Sequence, residues 1–199
     1  MPRTFADMQI EVLERAGRDD GRFAVRVRRW LNDAMHEVDQ DGRWEYLLTS
    51  TTGAAPLTIA DLDRVESIAD TTADYVLTQV DRDTLVTSYA DLATTGTALY
   101  WYRSAPTTIA VYPVSTLTLT VKYFKFGPDM AAGTDAPLMP DRFRQVIVER
   151  ATATALRSAG DLNGAQACMA EYDRVLQAMR ESLLSTPAYQ ARSYASEDD

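Results

Sequence analysis

The hydrophobic period of this chain changes twice, and that change limits the folds open to it. Residues 23–38 carry Phe23, Val27, Trp30, Leu31, Ala34, Met35 and Val38 at i, i+4, i+7, i+8, i+11, i+12 and i+15. This is one apolar stripe over four helical turns. From residue 47 to about 126, Thr, Val, Ile and Tyr become common, and Leu117, Leu119, Val121 and Tyr123 alternate with Thr116, Thr118, Thr120 and Lys122. A period of two is that of a half-buried strand. Helical spacing then returns, with Phe143, Ile147, Ala151, Thr154 and Ala155, and later Met169, Tyr172, Leu176, Met179 and Leu183.

Local signals bound the elements. Thr4 is placed to cap a first helix, with Asp7 in the capping-box position and Gly17 as its stop. Asp41-Gly42 ends the second helix. Pro56–Ile59, Val65–Ala69 and Tyr75–Thr78 read as short strands, and Asp81–Leu92 as a short helix. Thr97–Arg103 and Thr107–Tyr112 form a predicted hairpin through Ser104-Ala105-Pro106. Asp141 is expected to cap a third helix, and Gly160-Asp161 to separate it from a fourth.

No single helix of this set buries its stripe alone. The expected fold is therefore α+β: a four-helix bundle formed by the N- and C-terminal helix pairs, residues 1–46 and 127–185. An antiparallel β-rich subdomain with a short helix, residues 47–126, is inserted between them. Residues 186–199 show no apolar periodicity and are expected to form a flexible tail.

Composition narrows the function. The chain of 199 residues has 29 acidic and 20 basic side chains, a formal net charge of -9. Nucleic-acid binders generally carry the opposite balance. One cysteine, Cys168, excludes an intramolecular disulfide, and one histidine, His36, excludes zinc sites built on several His or Cys ligands. No apolar run approaches a membrane span, and no signal peptide precedes the first helix, so a soluble intracellular product is expected.

No catalytic motif is present, and no metal or cofactor site is expected. His36 reads as a boundary or surface residue and Cys168 as a small packing residue. Asp19-Asp20, Asp61 with Asp63, and Asp81 with Asp83 read as caps and turn formers more than as a carboxylate site. Tyr100, Trp101 and Tyr102 read as core and interface packing, not as a base-stacking platform. Arg22, Arg26 and Arg29 form a basic stripe opposite the apolar one, with Arg28 alongside. That stripe is either a solvated face, with an Arg29–Asp33 pair, or a docking face for an acidic partner or a neighbouring subunit.

The ordered set TFADMQIEVLER (4–15), RVRRWLNDA (26–34), RWEYL (43–47), ALYWY (98–102), IAVYP (109–113), LTVKYF (119–124), PLMP (137–140) and GD (160–161) resembles the head-to-tail connector (adaptor) proteins of tailed bacteriophages. Gly96-Thr97-Ala98 lacks the proline that many relatives carry before the aromatic strand. The resemblance spans residues 3–185 and implies a structural virion protein, not an enzyme. It further implies a homo-oligomeric ring, typically of twelve subunits, docked beneath the portal protein at the neck. A stopper or tail-completion protein would sit below, and DNA would pass through the lumen unbound. Assembly would take place in the host cytoplasm. In such relatives the C-terminal tail reaches the portal, here placing Tyr189, Arg192 and Tyr194 at an interface. Another neck component, or a small α+β enzyme with an unrecognised site, is the alternative.

Overall fold

The structure, a computed structural model, describes residues 3–18, 20–71, 75–89 and 91–184. Among these residues it is α+β, with five α-helices and two four-stranded sheets rich in antiparallel pairs. The expected tail, 186–199, lies outside the described residues.

Helix α1 (Phe5–Ala16) starts on the expected capping box. The Asp7 carboxylate accepts from the Thr4 amide at 2.9 Å and from its hydroxyl at 2.8 Å. These bonds favour the ionised form, and the Asp7 carboxyl is held below its usual range by them. Gly17 closes the helix at φ 63°, where a side chain would be strained. Helix α2 (Gly21–Asp41) is capped by Asp20, whose carboxylate accepts from the Phe23 amide at 2.8 Å. Its stripe is buried from Phe23 to Val38, with Trp30 half-buried and edge-on to Phe23.

A 3₁₀ turn, Glu45–Leu47, delivers the chain to the sheets. The strands are β1 (Leu48–Ala54), β2 (Leu57–Thr58), β3 (Leu62–Asp70), β4 (Tyr75–Val76), β5 (Thr78–Gln79), β6 (Tyr100–Ala105), β7 (Thr108–Tyr112) and β8 (Thr118–Lys125). One sheet runs β1-β8-β3-β4 and the other β2-β7-β6-β5. The alternation of β8 matches the sequence expectation, and β6 and β7 form the expected hairpin, but β6 starts at Tyr100 and keeps Ser104 and Ala105, so the turn falls at Pro106-Thr107.

Several expectations are corrected. Strand β1 was not anticipated, because LTSTTGA has almost no apolar signal. It forms because all seven residues pair with β8. The expected strand Tyr75–Thr78 divides between the two sheets, and β5 pairs parallel to β6, so the block is not wholly antiparallel. Helix α3 (Arg82–Ser88) ends four residues before Leu92. It is long enough only to seat Leu85, and the Tyr89 ring beyond it lies against Tyr112, with centroids 4.6 Å apart. Asp141 opens a 3₁₀ turn, Asp141–Phe143, and helix α4 (Gln145–Ala159) begins after Arg144. Helix α5 (Leu162–Leu183) starts on Asp161, which accepts from the Gly164 amide at 2.9 Å.

Helices α1, α2, α4 and α5 share one hydrophobic cluster, which includes Phe5, Met8, Leu31, Ile147, Leu176 and Met179. Strand residues from both sheets form a second, around Ile68, Trp101, Ile109, Leu119 and Val121. Strand β8 serves both. Tyr123 faces the sheet cluster, and Phe124, one residue on and so on the opposite face, joins the helical cluster.

Candidate subunit interface

Helix α2 gives one face to the core and the other to solvent. Arg22, Arg26 and Arg29 are all on the exposed side, as their spacing requires. Arg29 pairs with Asp33 at 3.6 Å, but both side chains are mostly exposed, and such a pair is worth about 0.2–0.5 kcal/mol. Arg28 turns inward. It donates to the Ala131 carbonyl and lies over the Phe5 ring, 5.6 Å from its centroid. Arg18 lies over the Phe23 ring, 5.4 Å from the centroid. Beside these residues are two adjoining grooves. One, of about 390 Å³, is lined by Ile10, Leu13, Glu14, Gly17 and Arg18. The other, of about 200 Å³, is lined by Arg18, Asp20, Arg22, Phe23 and Arg26. Tyr189, Arg192 and Tyr194 lie outside the described residues.

The residues weighed for chemistry are scattered. His36 Nε2 is 2.6 Å from the Asp129 carboxylate and touches no nucleophile. Asp20 and Asp81 act as helix caps, and Asp61 accepts from the Tyr123 hydroxyl at 2.9 Å. Trp101 is buried in the sheet cluster, and Tyr100 and Tyr102 are half-buried. Among the described residues no group of three or more His, Cys, Asp or Glu is placed to hold a metal.

Cys168 has a neighbour that its sequence surroundings do not supply. The Arg15 guanidinium, 153 residues away, donates to its sulfur at 3.2 Å. Burial nevertheless pushes the thiol up, so it is a packed thiol and not a thiolate nucleophile. Arg15 also makes a two-pronged pair with Glu149, at 2.8 Å for each prong, and Gln145 donates to Glu149 at 2.5 Å. Sequence reasoning missed this network. The one hint was a carboxylate between Val148 and Ala151 on a helix of small apolar residues.

A second buried carboxylate sits where the chain passes between the two clusters. Asp39 accepts from the Tyr46 hydroxyl at 2.9 Å, and a Cβ added at Gly127 would collide with its Oδ2. Burial raises its carboxyl to about 6, against the opposing Tyr46 bond and the charge of His36. A folded value above the unfolded 3.8 means that stability is fullest below that pH and declines as pH rises towards 6. Asp39→Asn is expected to remove this decline and to leave the protein about 1 kcal/mol more stable at pH 7.5. Urea unfolding at pH 4.5, 6 and 7.5 checks it, and parallel curves for the two proteins would refute it.

The fold is α+β, with Arg22, Arg26 and Arg29 exposed on one face of α2. A model of the SU10 adaptor protein family matches residues 3–195, and the chain belongs to that family of phage head-to-tail adaptors. Among curated proteins, none matches the chain. No helix of the described residues is long and apolar enough to cross a membrane.

Proposed function

We propose that this adaptor acts as a structural component of the virion neck, forming a ring of about twelve copies under the portal vertex through which the genome passes. The terminal helix pairs, residues 1–46 and 127–185, serve as a four-helix wall. The β-rich middle, residues 47–126, serves as an inserted subdomain turned towards the next neck component. The exposed arginine face of α2 carries this reading. A closed ring needs two unlike surfaces on each subunit, and an arginine face on a chain of net charge -9 supplies one that the rest of the acidic surface can meet. The acidic balance also suits a conduit, since each phosphate contact would retard the DNA.

Arg22, Arg26 and Arg29 form the subunit contact. The segment 186–199, with Tyr189, Arg192 and Tyr194, provides a further contact with the portal or with a neighbouring subunit. The test is electron microscopy of the protein with and without portal-bearing particles. Collars are expected on the particles, and the triple charge reversal Arg22→Glu, Arg26→Glu, Arg29→Glu should reduce them at least tenfold. Deleting residues 186–199 should also impair docking while leaving the far-ultraviolet circular dichroism unchanged. Bare portals with the wild-type protein, or full decoration by both variants, would sink the reading.

A further inference from the structure

The arginines around α1 and α2 are not equivalent. Arg15 is committed to Glu149, Arg28 to the Ala131 carbonyl, and Arg29 to Asp33. Arg22 and Arg26 are exposed, and among the described residues their side chains make no ion pair or hydrogen bond. The one carboxylate that lines the same groove, that of Asp20, accepts from the Phe23 amide. These two cations line the smaller groove. The larger groove adjoins it through Arg18 and has Ile10, 55% exposed, on its wall. The surface thus has a slot with apolar walls at Ile10 and Leu13, lined also by Glu14 and Arg18, beside two unpaired positive charges.

The chain itself carries a segment of matching chemistry beyond Leu184. Residues 185–199 contain Tyr189 and Tyr194 and then Glu197-Asp198-Asp199. The acidic trio begins three residues after Tyr194, a span of about 10 Å when extended, which suits two adjoining grooves. We propose that this segment of one copy docks on a second copy, with a tyrosine in the slot beside Ile10 and Leu13 and the carboxylates on Arg22 and Arg26.

The reach of the chain favours a second copy. Arg180, near the end of α5, bridges to Asp41 at the C-terminal end of α2. The grooves lie at the other end of that 21-residue helix, roughly 30 Å away. Tyr194 is ten residues past Leu184 and reaches at most about 35 Å. It could occupy its own groove only with the segment drawn almost straight along its own helix, whereas a neighbour's groove imposes no such demand. Groove on one copy and segment on the next are unlike surfaces, so the contact propagates around a ring. The inference rests in this respect on the ring proposed above.

The test uses a fluorescein-labelled peptide of residues 185–199. The receptor is the full chain carrying E197K/D198K/D199K, so that its own segment does not compete. Saturable binding by anisotropy is expected. It should weaken at least tenfold when R22E/R26E is added to the receptor or when Y189A/Y194A is placed in the peptide. It should also fall as salt is raised from about 0.05 to 0.5 M. No binding, or equal binding to the R22E/R26E receptor, overturns the proposal. Full chains then separate a second copy from self-docking. R22E/R26E protein and E197K/D198K/D199K protein should each fail to form collars, and their mixture should form them. Failure of the mixture, with the peptide still binding, would place the contact within one chain and overturn the second-copy claim. Collars of wild-type protein without peptide binding would remove this contact but leave the ring. Peptide binding without wild-type collars would do the reverse.

Discussion

Replacing Trp44 with alanine is expected to cost about 3–5 kcal/mol, a large part of the stability of a chain this size. The indole is fully buried in the helical cluster. Its Nε1 donates at 2.6 Å to the carbonyl of Val38, one of the last carbonyls of α2, which have no partner within the helix. Its ring stacks on Tyr46, with centroids 6.3 Å apart and planes 11° from parallel. Gly42 lies close to the ring as well, and a Cβ there would come within 2.9 Å of the indole. Trp44 therefore closes the end of α2 and fixes the point at which the chain leaves for β1. Trp44→Phe keeps most of the buried area and loses the hydrogen bond, so a cost nearer 1–2 kcal/mol is expected. Urea unfolding of both variants checks the pair. A Trp44→Ala loss below about 1 kcal/mol would mean that the indole is not packed as described.

Removing Glu149 is the second large effect. Its side chain is only 5% exposed and it holds both prongs of the Arg15 guanidinium, which ties α1 to α4. Burial alone would push its carboxyl up. The hydrogen bonds from Arg15 and Gln145 outweigh this, and the carboxyl stays below its usual range. Glu149→Ala leaves a guanidinium beside the Cys168 thiol with little in exchange. Because Arg15 is about one-third exposed and has Glu11 at 3.8 Å, the expected cost is about 2–3 kcal/mol, below that of a fully enclosed pair. Arg15→Met with Glu149→Met should recover most of it, since neither charge is then stranded. The sign with pH is opposite to that of Asp39. A folded value below the unfolded 4.5 gives a stabilisation that is complete above that pH and disappears as pH falls through the lower folded value. Denaturation at pH 7 and pH 3 should show a steeper acid loss for the wild type than for Glu149→Ala. Equal losses would mean that the pair contributes nothing.

Both effects concern groups whose partners are distant in sequence or hidden by a polar name. Trp44 was visible only as part of an aromatic run after α2. Nothing in that run said that its indole would turn back onto Val38. Glu149 reads as a surface residue by type. It is buried because α4 lies against α1, α2 and α5 and so has almost no solvent face. A one-sided stripe was expected there, and the structure buries Val146, Val148, Thr152 and Ala153 as well. The arginine face was legible in its spacing. Which of its members stayed free was not, because Arg28 was claimed by Ala131 and Phe5 from another part of the chain.

Elements with local causes were readable from residue order. The capping box at Thr4, the left-handed glycines at 17 and 160, the stripe of α2 and the alternation of β8 all act within about four residues, the range of helical hydrogen bonds and side-chain repeats. Long-range packing was needed to set which strands share a sheet, that β5 runs parallel to β6, and that polar LTSTTGA becomes a strand at all. It alone brought Arg15 to Glu149 across 134 residues. Such pairings are selected by the closure of long loops and the exclusion of water from a shared core. Many arginines and many threonine-rich segments are equally eligible until the rest of the chain has packed.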